Sequence, residues 1–170
     1  MARFIGTLGA SWGAVGVFGL LLFAIYRLTP RALEAYRDGL STGQWLIAAV
    51  VLVFMAYAEG YRGFQTRFSP RTAARIRYLR DRPRVVHTAL APLFAMGYFH
   101  ATRRTRIVAY SLTLGIMTLV ILVHRLDQPW RGIIDAGVVL GLGWGVISLA
   151  ACVYQALSRE TYQPSPEVPE

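Results

Sequence analysis

The chain has 170 residues, 55% of them hydrophobic and only 16% charged, with a mean hydropathy of +0.42, whereas an ordinary soluble domain carries roughly a quarter charged residues. That composition excludes a disordered or conventional soluble class and points to an integral membrane protein. The net charge of +9 arises from 18 basic residues, all arginine, against 9 acids; the arginines lie between apolar segments and not on a soluble face, so nucleic-acid binding is not the reading of that charge.

Neither Lys nor Asn occurs, the pattern expected of a GC-rich bacterial genome. Four segments, 4–26, 45–61, 107–124 and 132–156, are long and apolar enough to cross about 30 Å of hydrocarbon, which takes roughly 17 to 25 helical residues. The first is too long for a signal-peptide core and has no small-residue cleavage site before Arg27, so a retained helix is expected. Its Gly6, Gly9, Gly13 and Gly16 fall on one face, where missing side chains let another helix approach closely. Thr29-Pro30 reads as an N-cap and first helical residue and Gly39 as a stop, which predicts a separate short helix over 31–38.

The second span runs out through AYAEGYRGFQTRFSP, residues 56–70. At α-helical spacing, Tyr57, Tyr61, Phe64 and Phe68 make one aromatic stripe, Ala56, Gly60, Gly63 and Arg67 a second side, and Glu59, Arg62 and Thr66 a third. An ionisable group inside a span costs several kcal/mol and usually has a function. Glu59 is therefore the first site candidate, with Arg62 as its expected partner one turn on. Asp135 is the second, with Arg131 four residues before it. The two acids are expected at opposite depths, which argues against a paired-carboxylate site.

The connector, residues 62–106, holds eleven arginines and one acid, Asp81. Ser69-Pro70 starts a basic helix that Pro83 ends, with Arg71, Arg75 and Arg82 on one side, Ala73, Ile76 and Leu79 nearer the other, and Arg77 and Arg80 interrupting the apolar side. This predicts an amphipathic surface helix whose Arg71, Arg75 and Arg82 dock on anionic headgroups, each contributing about 1 kcal/mol. Residues 88–99, with Pro92 and Gly97, are too few to span and read as a re-entrant or interfacial segment. His87 and His100 flank it, about 20 Å apart if it is one helix, and His124 ends the third span. No shared metal site and no cofactor are expected from them.

In the third span Ser111, Thr113 and Thr118 have no adjacent base, and in the fourth Gly137, Gly141 and Gly145 form two overlapping GxxxG steps, a second packing face. Trp45 and Trp130 fall where interfacial anchors belong. The single Cys152 excludes an internal disulfide, and no nucleophile elbow, phosphate loop or metalloprotease motif is present. The Pro-rich tail, 161–170, is expected to be disordered.

Placing the connector inside puts thirteen arginines there and five outside, which predicts both termini on the cytoplasmic side. The expected protein is an all-α, four-span domain over 1–160 in a bacterial inner membrane. Its expected role is that of a non-enzymatic scaffold or accessory subunit. The connector would contact anionic lipid or an acidic partner, and the glycine faces would serve internal packing, a second copy or a protein partner. The alternative is a small oligomeric transporter or channel using Glu59 and the Pro92/Gly97 segment. A lipid-modifying enzyme with His87 or His100 as base ranks behind both.

Overall fold

The structure is a computed structural model that describes residues 2–169. It is 81% helical, with no strand among the described residues, and four of its helices are long and apolar enough to cross a membrane.

Helix α1 (Ala2–Arg37) has 36 residues, about 54 Å at 1.5 Å per residue. It runs straight through Pro30, so the separate helix expected over 31–38 does not exist. The Thr29 hydroxyl, expected to cap, donates instead to the Ile25 carbonyl at 2.7 Å. Ala32 and Ala35 beyond the proline are buried, and Ala35 abuts Gly132. This packing carries the helix past the hydrogen bond that a proline nitrogen cannot make. Gly39, at φ 84°, then turns the chain, and Ser41 and Gln44 close a reciprocal capping box on the next helix.

Helix α2 (Thr42–Met55), a wide helical segment (Ala56–Phe68) and α3 (Ser69–Asp81) form one rod of 40 residues. Within the wide segment the helix is of π type, and at its end the Ser69 N–H donates to the Phe64 carbonyl, five residues back. No break occurs at Ser69-Pro70. The Ser69 hydroxyl pairs with that of Ser148 at 2.8 Å and does not cap a new helix.

Helix α7 (Trp130–Ser158) lies parallel to the rod and antiparallel to α1. Gly132 meets Ala35 of α1, Gly137 meets Met55 and Gly145 meets Phe64. Helix α3 sits between α1 and α7, not on a surface. Ala73, Ile76 and Leu79 are fully buried, and so is Arg75. Residues 85–96 form two short helices, α4 (Val85–Ala89) and α5 (Ala91–Met96), which pack on α1 and α3.

Both glycine faces are filled from within the chain. A Cβ at Gly6 would strike the Arg80 carbonyl, one at Gly9 the Thr88 side chain, one at Gly13 Leu79 and Ala91, and one at Gly16 the Pro92 ring. The α1 face thus receives the connector, namely the end of the rod in α3 together with α4 and α5. A core of Ala10, Val17, Ile76, Ala95 and Leu149 closes over it, drawn from α1, α3, α5 and α7.

Helix α6 (Arg103–Val123) stands apart. It leans on the rest of the chain at its base, where Thr105 and Ala109 are buried and the Tyr98 and Thr113 hydroxyls share a 2.5 Å hydrogen bond. Above that, Leu112, Leu114, Ile116, Leu119 and Ile121 are all exposed. The tail also departs from expectation. Residues 161–169 have no regular secondary structure, yet the Tyr162 hydroxyl donates to the Pro70 carbonyl at 3.3 Å and the Thr102 N–H to the Glu167 carbonyl at 3.0 Å. Hydrogen bonds to the starts of α3 and α6 hold it in place, which a count of prolines could not reveal.

Candidate functional site

The groove between the rod and α7 is built from glycines. Along α7, Gly137, Gly141, Gly145 and Ser148 follow one another at steps of four, four and three; they meet Met55, Glu59, Phe64 and Ser69 of the rod, at steps of four, five and five. The wide helix adds about one residue per turn, and that is what keeps one side chain facing each notch. A Cβ at Gly141 would lie 2.7 Å from Glu59 Oε2, and one at Gly145 2.7 Å from the Phe64 ring. Gly60 lies beneath the Trp144 side chain, whose indole N–H donates to Gln65 at 2.7 Å.

This register overturns the expected faces of 56–70. The single aromatic stripe divides: Tyr57 and Tyr61 stack on each other, 6.0 Å between centroids, and stay exposed. Phe64 and Phe68 form an edge-on pair at 5.4 Å, and Phe68 joins the core. Glu59 and Arg62 separate as well. Arg62 is exposed and forms no ion pair with Glu59, whose Oε2 is buried without a hydrogen-bond partner.

A second cluster occupies the arginine-rich end and centres on Arg75, the largest fully buried side chain. Its Nε donates to the Phe94 carbonyl at 2.6 Å, Nη1 to Pro166 at 2.7 Å, and Nη2 to Phe99 at 3.0 Å and His100 at 3.1 Å. The guanidinium also lies 4.1 Å from the centre of the Phe94 ring, a cation–π contact. His100 adopts φ 45°, a left-handed backbone uncommon outside glycine, with its carbonyl on Arg75. One buried cation thereby ties α3, the chain after α5 and the tail together.

The expected lipid-facing trio is therefore corrected. Arg75 is internal; Arg71 is largely covered, its Nη1 3.9 Å from Glu167; only Arg82 is exposed, its guanidinium 5.8 Å from the centre of the Tyr78 ring. The two arginines that seemed to spoil the apolar side of α3 cap α7. Arg77 Nη1 donates to the Ala156 and Arg159 carbonyls at 3.1 and 2.8 Å, and Arg80 Nη1 to Leu157 at 2.8 Å. Cations there satisfy orphan carbonyls and offset the negative end of the helix dipole.

His87 and His100 are also closer than expected. The segment between them is not one helix, because Gly97 at φ 90° turns the chain back after α5. Their ring centres lie 4.6 Å apart, and His87 stacks on Phe94 at 4.7 Å. His87 is buried and its Nδ1 has no partner. Burial first, then His100, Arg84 and Arg75, push its imidazole below the ordinary range, and burial, Arg84 and Arg75 push His100 the same way.

At the opposite end Asp135 is buried with Arg131 Nε 3.9 Å away, too far for a hydrogen bond. Arg131 Nη2 meets His124 Nδ1 at 2.9 Å. Glu59 faces Gly141, six residues along α7 from Asp135, about 9 Å by helical rise, so the two acids are closer in depth than expected although each has its own surroundings. Ser148 and Ser69 were missed as a buried polar pair; the signal was Ser148 continuing the glycine period of α7 by three residues. Pro92 and Gly97 do not join Glu59, since Pro92 fills the Gly16 notch and Gly97 sits against Thr105.

No family model matches the chain, and neither the curated proteins nor the solved structures give a significant match.

Proposed function

We propose that the protein is a non-enzymatic multi-pass membrane component, a scaffold or accessory subunit, with four spans and both termini on the cytoplasmic side. The orientation follows from the arginine asymmetry. The observation that carries the role is α6, whose Leu112, Leu114, Ile116, Leu119 and Ile121 are exposed and which has little intrachain contact along most of its length. Lipid supplies no hydrophobic drive to hold helices together, so a helix left unpacked by its own chain above its base is available to a partner helix. The glycine faces are already filled, so association falls to the exposed apolar surfaces, of which α6 is the one least engaged with its own chain. At the cytoplasmic end the exposed Arg84, Arg103, Arg104 and Arg106 would meet anionic headgroups, while the α3 arginines are engaged internally.

A photocrosslinker placed in turn at Leu112, Ile116 and Leu119 in native membranes tests this. Protein adducts of constant mass, either a second copy or one other polypeptide, are the expected result. Adducts with lipid alone at all three positions overturn the scaffold reading.

The transporter reading keeps one specific support, the unpartnered Glu59 Oε2 at the Gly141 notch. It loses the Pro92/Gly97 segment as part of a path.

A further inference from the structure

We propose that Glu59 is a proton-binding site: a neutral carboxylic acid while it packs in the Gly141 notch, and a carboxylate turned toward Arg62 when the proton leaves. Three observations carry this. The wide helix places Glu59 on the α7 side and Arg62 on the exposed side, although α-helical spacing would set them one turn apart. Oε2 is buried with no donor in reach, an environment that a carboxylate does not tolerate and a carboxylic acid does. Glycine at 141 leaves room for that oxygen and for nothing larger, since even a Cβ would lie 2.7 Å from it.

The surroundings offer no compensating charge. The elements packed on the wide segment are α2, α3 and α7. Helix α2 carries no titratable side chain at all. On α7 none lies between Asp135, about one and a half turns before Gly141, and Cys152, three turns beyond it. The first charged residue of α3 is Arg71, which is turned to Glu167. On its own segment the nearest charges are Arg62 and Arg67, both exposed. Glu59 as a residue is part-buried, and in this proposal the proton released from Oε2 goes to solvent. The step is one proton lost and one negative charge gained, which Arg62 on the next turn can neutralise. Proton binding would then set how closely the rod packs on α7.

The proposal rests on the membrane reading, and the test separates the two. The full-length protein in phosphatidylcholine vesicles is treated with a hydrophobic carbodiimide, dicyclohexylcarbodiimide, and in parallel with a water-soluble one; both react with protonated carboxyls. The hydrophobic reagent should label Glu59 at an even rate between about pH 6 and pH 8, the water-soluble one should not, and Glu59→Gln should abolish the label. An ordinary carboxylate would instead lose about tenfold in labelling for each pH unit. Arg62→Gln should leave neutral-pH labelling unchanged and extend it to higher pH, because the carboxylate has lost its partner. Gly141→Ala, which closes the notch, should reduce labelling several-fold. No labelling by either reagent, or a several-fold rise at neutral pH in Arg62→Gln, overturns the proton site while leaving the membrane reading intact. Equal labelling by both reagents overturns the proposal through its membrane premise.

Discussion

The rings of His87 and His100 lie 4.6 Å apart, centre to centre, with the charged Arg75 guanidinium stacked on the same Phe94 that His87 covers. Both imidazoles are held neutral: burial and the charges of Arg84 and Arg75 depress them, and each proton gained would repel the next. The unfolded segment would titrate near the ordinary value of about 6.5. Above that pH the two forms bind no proton and the stability of residues 85–100 is complete. As the pH falls below about 6.5 the opened segment takes up protons first, so stability is lost progressively toward the depressed folded values. Hydrogen exchange of 85–100 should therefore show more frequent opening at about pH 5 than at about pH 7.5, after correction for intrinsic rates. His87→Phe, which keeps the stack on Phe94, should flatten most of that dependence. An unchanged pH profile in His87→Phe would remove His87 from this account.

Arg75 makes a sharper test of stability. Replacing it by Met keeps much of the stem's volume but strands the carbonyls of Phe94, Phe99, His100 and Pro166, and a buried acceptor left unpaired costs about 1–3 kcal/mol. Arg75→Met should destabilise the protein by about 3 kcal/mol or more and free the tail, which a protease cutting near Glu160 would detect. Arg75→Lys supplies one point charge where a planar fork was used and should fall between the two. A wild-type melting temperature in Arg75→Met would show that these hydrogen bonds contribute little.

Glycines of α7 offer a matched comparison within one helix. Gly145 faces the Phe64 ring with no room for a Cβ, whereas Gly143 has nothing within 4 Å. Gly145→Ala should cost about 1–3 kcal/mol by overpacking. Gly143→Ala should be neutral or gain up to about 1 kcal/mol from helix propensity. Thermal unfolding in detergent measures both, and equal effects would contradict the assigned helix face.

These residues also mark how far the sequence could be read. The four apolar helices were legible because length and hydropathy alone identify them, and the glycine faces because their period is short and regular. The faces of 56–70 were not. Their three sides exist only at 3.6 residues per turn, and the wide segment takes more, so Tyr61 and Phe64 part and Glu59 leaves Arg62. That widening answers a spacing on another helix, the four-residue glycine repeat of α7, which no local pattern encodes. Arg77 and Arg80 fail for a related reason. They look misplaced on an apolar face until α7 ends beside them with carbonyls to be satisfied. The segment from His87 to His100 misled because one glycine, Gly97, decides whether it is extended or folded back.

Lipid contact is where the corrected arginine map changes an experiment. The α3 trio was the expected docking stripe, yet Arg75 is enclosed by carbonyls and Arg71 is turned to Glu167. Arg84, Arg103, Arg104 and Arg106 remain exposed. With each headgroup-level arginine worth about 1 kcal/mol, the combined Arg103→Gln, Arg104→Gln and Arg106→Gln variant should lose about 3 kcal/mol of preference for anionic over neutral lipid. Native mass spectrometry of the protein released from mixed-lipid nanodiscs would read this as depletion of co-retained anionic lipid, with the wild-type preference itself falling as salt rises. Arg71→Gln, by contrast, should leave lipid retention near wild type and lower the melting temperature through its lost contact with Glu167. If Arg71→Gln instead depletes anionic lipid as strongly as the triple variant, α3 meets the headgroups after all, and its packing between α1 and α7 would have to open for it to do so.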